Sequence, residues 1–229
     1  MVSVSVIIPT VNDKRIYRAI ETLKNQDCEI IVVQNGTEKP WEELKGYCEN
    51  NGITFIHFKE GNLSKAYNIG SKIASGEIIV HADSDTYFTE NFIDDVKKQA
   101  KKGWIIKGGQ IFDDFGEKIV VGGQAVFLYK SDFERIGGYD EEFAKPHATD
   151  VAFCLRARQK GVRSKVIPKA IFYHPPTAHK RGFKVGMAEA KAIKKYPGHL
   201  KMWRMLGADV LEIFRIIRHM IGLIVGVII

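Results

Sequence analysis

Four short apolar runs, three of them followed by a stretch with helical spacing, constrain this chain more than any other feature. Val4-Ser5-Val6-Ile7-Ile8-Pro9 reads as a buried strand stopped by proline. Ile16 to Asn25 carries apolar residues at 16, 19, 20 and 23, the spacing of one helix face. Glu29-Ile30-Ile31-Val32-Val33 is a second strand, closed by the turn signal Asn35-Gly36. Trp41 to Asn51 reads as a helix, Thr54 to Phe58 as a third strand, Leu63 to Ala74 as a helix and Glu77 to Ala82 as a fourth strand. This alternation predicts an α/β fold: an open, mostly parallel sheet with helices covering both faces. In such sheets ligands sit beyond the carboxyl ends of the strands. Asn12-Asp13, Gln34-Asn35-Gly36 and Asp83-Ser84-Asp85 all fall at such ends.

From about residue 104 the pattern changes to shorter, glycine-rich strands around Gly108-Gly109, Gly122-Gly123 and Gly137-Gly138. Helical stretches near 150–160 and 183–196 follow, with no internal repeat or low-complexity linker. A length of 229 residues, 45% of them hydrophobic, suits one α/β domain with an appendage. The three cysteines, Cys28, Cys48 and Cys154, are widely spaced and form no CxxC. That excludes a disulfide framework or a cysteine zinc site as the organising element and points to a reducing compartment. Met1-Val2-Ser3-Val4 enters the first apolar run without a basic region or a cleavage site, so no secretory leader is expected.

Charge divides the chain unevenly. Residues 1–154 hold 18 Lys and Arg against 24 Asp and Glu, whereas residues 155–229 hold 16 against 3. A basic carboxyl-terminal third calls for an anionic partner: a phosphorylated substrate, an acidic membrane surface or nucleic acid. Aromatic residues are too thinly interleaved there to make a stacking platform, so nucleic acid is not expected.

Asp83-Ser84-Asp85 is the sharpest local feature. Two carboxylates at i and i+2 past a strand can share a divalent cation, or divide between a ribose hydroxyl and a metal. Mg²⁺ or Mn²⁺ takes such oxygen ligands together with diphosphate oxygens. An isolated pair of this kind is also an ordinary acidic turn. No Walker loop and no GxGxxG is present, which removes the signatures of P-loop and dinucleotide enzymes. His174 and His179 flank Pro175-Pro176 at a spacing that makes no HExxH, so they read as loop histidines, one of which can join a metal held mainly by other residues.

Six segments together resemble the family 2 glycosyltransferases, the large inverting group with the GT-A fold. Val4 to Asn12 resembles the family's opening strand, Glu29 to Thr37 its second strand and turn, and Gly61 to Gly70 its glycine-asparagine helix. Ser75-Gly76-Glu77 through Asp85 resembles the strand that carries its DxD. Phe133 to Glu141 resembles the segment before the catalytic base, and Thr149 to Arg156 stands where the base motif belongs. The resemblance runs from residue 4 to about 174, in the family's order.

It implies donor-binding roles for Pro9, Thr10, Asn12, Gln34, Asn35, Lys65, Asn68, Asp83 and Ser84. Asp83 would approach the ribose or base, Asp85 would hold the metal on the diphosphate, and His174 would face that metal or the diphosphate. Asp150 would be the general base. The implied donor is a nucleotide-diphospho-sugar of UDP or GDP type, and the implied cofactor is Mg²⁺ or Mn²⁺. Where the family usually has an acid that contacts uracil, this chain has Gln34; an amide can still pair with a pyrimidine edge. Thr149 replaces the usual acid before the base, and Val11 replaces a frequent tyrosine. A sugar-nucleotide nucleotidyltransferase is the neighbouring alternative, but Pro9-Thr10-Val11-Asn12-Asp13 stands where its glycine- and arginine-rich loop would be. A non-catalytic nucleotide- or nucleic-acid-binding module is the alternative of another class.

The resemblance divides the chain into a GT-A catalytic domain over 1–180 and a basic amphipathic tail over 181–229. Within the domain, 1–103 would be the nucleotide half and 104–180 the acceptor half. Lys201, Arg204, Glu212, Arg215, Arg218 and His219 form a polar stripe among apolar positions. Met220 to Ile229 is ten uncharged residues, half of the ~20 that span a bilayer. The pattern predicts attachment of residues 200–229 to an anionic membrane surface, on the cytoplasmic inner face of the cell membrane. It is also that of the start of a longer spanning segment, or of a helix packed on the domain or in a homodimer seam. The acceptor expected with such a tail is a glycan or a lipid-linked molecule.

Overall fold

A computed structural model of the chain describes residues 2–111, 119–144, 148–174, 191–192 and 194–196. The first apolar runs become β1 (Val4–Thr10), β2 (Glu29–Asn35), β3 (Thr54–Phe58) and β4 (Ile78–Ala82). Between them lie α1 (Ile16–Glu21), α2 (Glu42–Asn50) and α3 (Leu63–Ile73). The chain continues through β5 (Tyr87–Phe88), α4 (Phe92–Gln99), β6 (Trp104–Ile111), β7 (Ile119–Tyr129), α5 (Lys130–Ile136), α6 (Ala148–Gln159) and β8 (Arg163–Tyr173).

All eight strands join one sheet in the order β3-β2-β1-β4-β7-β6-β8-β5, so both expected halves of the domain share it. β1 pairs in parallel with β2 and β4, and β2 with β3. β7 runs antiparallel to β4 and β6, while β8 is parallel to β6. It follows that β1, β2, β4, β6 and β8 end on the same edge. The chain leaves β1 toward β2 and returns to β4 on the other side, which makes the β1/β4 gap the switch point where such sheets bind ligands.

Alternation along β1 explains the two layers. Val4, Val6 and Ile8 face one way, onto Ile16 and Ile20 of α1, Leu44 of α2 and Phe92 of α4. Ile7 faces the other way, with Ala66 and Tyr67 of α3, Phe133 of α5 and Phe153 of α6. Each such side chain contributes ~1.5–3 kcal/mol on burial. An open ion pair such as Lys59–Glu38 contributes only ~0–1 kcal/mol, so the layers and not the surface pairs hold the sheet. Gly70 lets α3 lie close on β1, since a Cβ there would come within 2.4 Å of Ile7 Cγ2.

The second half departs from the expected short strands. β6 has 8 residues and β7 has 11, and both continue through their glycines. Gly108 is a contact site and not a break: a Cβ there would lie 2.6 Å from Phe172 Cε1. Gly137 is not in a strand at all; with φ 83° it caps α5 in the left-handed region that favours glycine. α1 stops at Glu21, short of the expected Asn25, and α4, α5 and the two-residue β5 were not expected. Of the helix expected over 183–196, the structure describes residues 191–192 and 194–196; Ala192 is buried beside Phe143 and Ala152. Residues 200–229, with the expected amphipathic tail, lie outside the described residues.

Candidate active site

The shared carboxyl edge of the strands gathers the acidic groups. β4 ends at Ala82, and the next residues form a tight turn in which the Thr86 N–H donates to the Asp83 carbonyl at 3.1 Å. β8 ends at Tyr173, which delivers His174 to the same edge. His174 Nε2 lies 3.0 Å from Asp85 Oδ1 and 4.0 Å from Asp83 Oδ2. Asp85 Oδ2 meets Arg15 Nη1 at 2.8 Å, and Arg15 is also forked onto Asp13. Ser84 Oγ donates to Asp13 Oδ2 at 3.3 Å, tying the β1 loop to the β4 turn. On the inner side, Tyr67 Oη donates to Asp83 Oδ1 at 3.3 Å.

The electrostatics of the two carboxylates diverge. Burial, then repulsion from Asp150 and Asp85, raises the pKa of Asp83. Because 41% of its side chain remains open, the crowding of carboxylates weighs more than burial in that direction. Burial also works to raise Asp85, but its hydrogen bond with His174 and the charges of His174 and Arg15 outweigh it and leave the group low. Asp150 sits in the first turn of α6, where the helix N-terminus favours a negative charge. It is close enough to Asp83 and to the buried Tyr67 and Tyr139 for its charge to raise the pKa of each.

Donor atoms of Asp83, Asp85 and His174 all lie within 4.8 Å of one another. Two carboxylate oxygens and one imidazole nitrogen suit Mg²⁺ or Mn²⁺, and a cation would relieve the repulsion that raises Asp83. The donor set therefore fits the expected metal.

The other expected donor-site residues divide into two groups. Thr10, Asn12, Gln34 and Asn35 come together at the ends of β1 and β2. Asn12 has φ 54°, unusual outside glycine, and is held there by Gln34 Nε2 donating to its Oδ1 at 2.6 Å. Gln34 is fully buried; Nε2 also donates to Thr37 Oγ1 at 3.1 Å, and Oε1 accepts from the Trp41 N–H at 2.7 Å. Its amide thus fixes the loop that carries Asn12. Asn35 Nδ2 donates to the Thr10 carbonyl at 3.4 Å, and its Oδ1 accepts from the Asn62 N–H at 3.2 Å, joining β1 to the start of α3. Pro9 is buried within β1, opposite Val33.

Lys65 and Asn68 stand apart from that cluster. Lys65 pairs with Glu60 across the Phe58 ring. Asn68 clamps the segment before α6: its Oδ1 accepts from the Tyr139 N–H at 2.8 Å, and Nδ2 donates to Glu141 Oε1 at 2.9 Å. Gly138 makes room for that clamp, having φ 68° and only 2.6 Å between a would-be Cβ and Asn68 Oδ1. Sequence reasoning missed Tyr67 and Arg15. Tyr67 carries no signal beyond its place in a helical stretch, and a single arginine after a strand carries none.

A family model described as Glycosyl transferase family 2 matches residues 5–156, which include every site residue named above except His174. Over 98 residues the chain is 34% identical to an uncharacterized glycosyltransferase of Rickettsia conorii, covering 40% of this chain and 16% of that protein. Over 105 residues it is 33% identical to the uncharacterized glycosyltransferase EpsJ of Bacillus subtilis, covering 43% of this chain and 30% of that one. The matched stretch is thus less than a third of either relative. Among solved structures, S. aureus TarS 1-349 in complex with UDP-GlcNAc superposes with a TM-score of 0.66 at 15% identity, over 98% of this chain and 81% of that chain. A second TarS crystal structure gives 0.65 at 16% identity, over 98% and 49%. At such identities the likeness is one of fold. With the family model covering more than half of its length and the sheet arranged as in those structures, the chain belongs to glycosyl transferase family 2 and has the GT-A fold.

Proposed function

We propose that the protein moves a sugar, with inversion, from a nucleotide-diphospho-sugar to a hydroxyl or phosphate acceptor. The observation that carries this reading is the set Asp83, Asp85 and His174 at the switch point of the sheet, with Asp150 near enough to act on Asp83. The loop holding Thr10 and Asn12 would bind the nucleoside, and Asp83 its ribose. The solved relatives bound to UDP and UDP-GlcNAc favour a uridine donor. Asp85 and His174, with Asp83, would hold Mg²⁺ or Mn²⁺. Bound there, the ion would offset the charge that builds on the leaving diphosphate.

Asp150 acts from the opposite side. Its carboxylate takes the proton from the acceptor hydroxyl as the acceptor oxygen attacks the anomeric carbon. The glycosyl–oxygen bond breaks with its electron pair leaving on the diphosphate, through an oxocarbenium-like state. Attack opposite the leaving group inverts the centre.

A thermal-shift screen of nucleoside diphosphates and their sugars, with and without Mn²⁺, tests this reading. A ligand at a hundred times its Kd stabilises the fold by ~2.7 kcal/mol, and the largest shift is expected for UDP or a UDP-sugar with Mn²⁺ present. No shift with any nucleotide would overturn the donor assignment.

We further infer that residues 200–229 bind an anionic membrane surface and bring the domain to a lipid-linked acceptor. The support is the sequence pattern alone, each basic group near such a surface being worth ~1 kcal/mol. Among the described residues no helix is long and apolar enough to cross a membrane. In liposome flotation the full chain should float with anionic vesicles, and a chain ending at residue 199 should stay in solution while still binding donor. Equal flotation of both would remove the tail from this role.

A further inference from the structure

Asp85 has both carboxylate oxygens engaged: Oδ1 faces His174 Nε2 at 3.0 Å, and Oδ2 meets Arg15 Nη1 at 2.8 Å. The second of these contacts is unlike an ordinary surface pair. Arg15 Nε donates to both oxygens of Asp13 at 3.0 and 3.1 Å, and Nη2 donates to Oδ2 at 2.7 Å. The backbone N–H of Arg15 also donates to Asp13 Oδ1 at 3.0 Å. The guanidinium is therefore anchored along one side by Asp13 and offers a single contact, through Nη1, to Asp85. That contact can be exchanged without loss of the anchor. The Arg15 side chain is 47% exposed, which leaves open space beside the guanidinium.

Charge decides when the exchange occurs. A divalent cation among Asp83, Asp85 and His174 would sit a few ångströms from the guanidinium, and like charges at that distance repel. A cation arriving alone must displace Nη1 from Asp85 and leave that part of the guanidinium without a partner. A cation arriving with a nucleoside diphosphate brings phosphate oxygens to which Nη1 can turn, and a guanidinium matches phosphate geometry well. We propose that Arg15 is an exchangeable counterion of Asp85: it holds the carboxylate in the donor-free protein and passes to the diphosphate when the donor binds. Cation and nucleotide are thereby made to bind together. This inference rests on the donor site proposed above and adds a positioning residue that couples its two ligands.

The test measures Mn²⁺ affinity by the loss of the free-ion electron paramagnetic signal, alone and with saturating UDP, or GDP if that nucleotide stabilises more. In the wild-type chain the nucleotide should tighten Mn²⁺ binding ~10-fold or more, within the range usual for coupled sites. Arg15→Gln should bind Mn²⁺ alone ~10-fold more tightly and lose most of the tightening by nucleotide, because the competing charge and its transfer are both gone. Arg15→Lys keeps the charge without the fork and should fall between the two. Without ligands Arg15→Lys should melt close to the wild type and Arg15→Gln somewhat lower, since Asp85 and Asp13 lose their counterion. Wild-type Mn²⁺ affinity and coupling in Arg15→Gln would reduce the pair to a surface contact while leaving the donor site intact. A wild-type chain that binds neither Mn²⁺ nor nucleotide would overturn the donor site, and the counterion role with it.

Discussion

Asp150→Asn is expected to lower the rate of sugar transfer by roughly two to four orders of magnitude, the usual worth of a positioned general base. Donor affinity should stay within a few-fold, because the amide keeps the shape of the carboxylate. Asp150 lies in the first turn of α6, where the helix N-terminus favours a negative charge. Lys107, half-buried on β6, adds a positive charge: attraction to Cys154 and then, against a burial penalty, to Asp150 raises its pKa. The nearest rival in the chain is Asp140, and its geometry argues against it. Asp140 accepts from Tyr196 Oη at 2.5 Å and pairs with Lys195 at 2.7 Å. Against a burial penalty, those contacts hold it below the ordinary carboxylate range and commit its oxygens. Nucleoside diphosphate release from the donor, compared with equilibrium donor binding, reads both halves of the expectation. Near-normal release in the variant would place the base elsewhere.

The first half of the fold was legible because three of its strands, β1, β2 and β4, are buried on both faces. Ile7 and Ile8 point to opposite layers, so β1 reads as an apolar run interrupted before Thr10 only by the buried Ser5. The strand ends followed from that, and with them Asp83 and Asp85, which need only lie just past an end. The second half was less legible because its glycines have more than one use. Gly108 admits the Phe172 ring inside a strand, whereas Gly137 caps a helix. Residue type alone does not distinguish a close contact from a turn. Helix α4 begins Phe92-Ile93-Asp94-Asp95, and its single apolar face is too short to stand out from the loops beside it.

In the site, what sequence conveyed was residue type, and what it withheld was who holds whom. Gln34 read as an edge that could pair with a pyrimidine. In the fold its amide is spent on Asn12, Thr37 and the Trp41 N–H, a backbone partner that no side-chain pattern announces. Asn68 likewise reaches across 71 positions to Tyr139. His174 reached the metal set through the family resemblance, because the spacing of two histidines around a proline pair carries no ligand geometry. Arg15 was hidden for the opposite reason: a charged residue after a strand is ordinary, and only its 2.8 Å contact with Asp85 sets it apart.

Asp85→Ala is expected to abolish the Mn²⁺-dependent stabilisation by nucleoside diphosphate while leaving the chain folded. The first part follows from Asp85 being the buried carboxylate closest to His174 in the donor set. Removing it leaves Asp83 and His174, whose nearest ligand atoms are 4.0 Å apart, and the charge facing the cation falls by one. The second part follows from the place of Asp85, past the end of β4 and outside both apolar layers. The variant loses the contacts with His174 and Arg15 and relieves the repulsion on Asp83, while Arg15 keeps its fork on Asp13. Asp83→Ala should instead weaken nucleoside binding more than Mn²⁺ binding, since Tyr67 and not His174 is its closer partner. Melting curves without ligand, with Mn²⁺, and with Mn²⁺ and UDP separate these outcomes. Unchanged Mn²⁺-dependent stabilisation in Asp85→Ala would remove Asp85 from the metal site. A large loss of ligand-free stability would make it a structural residue of the sheet edge.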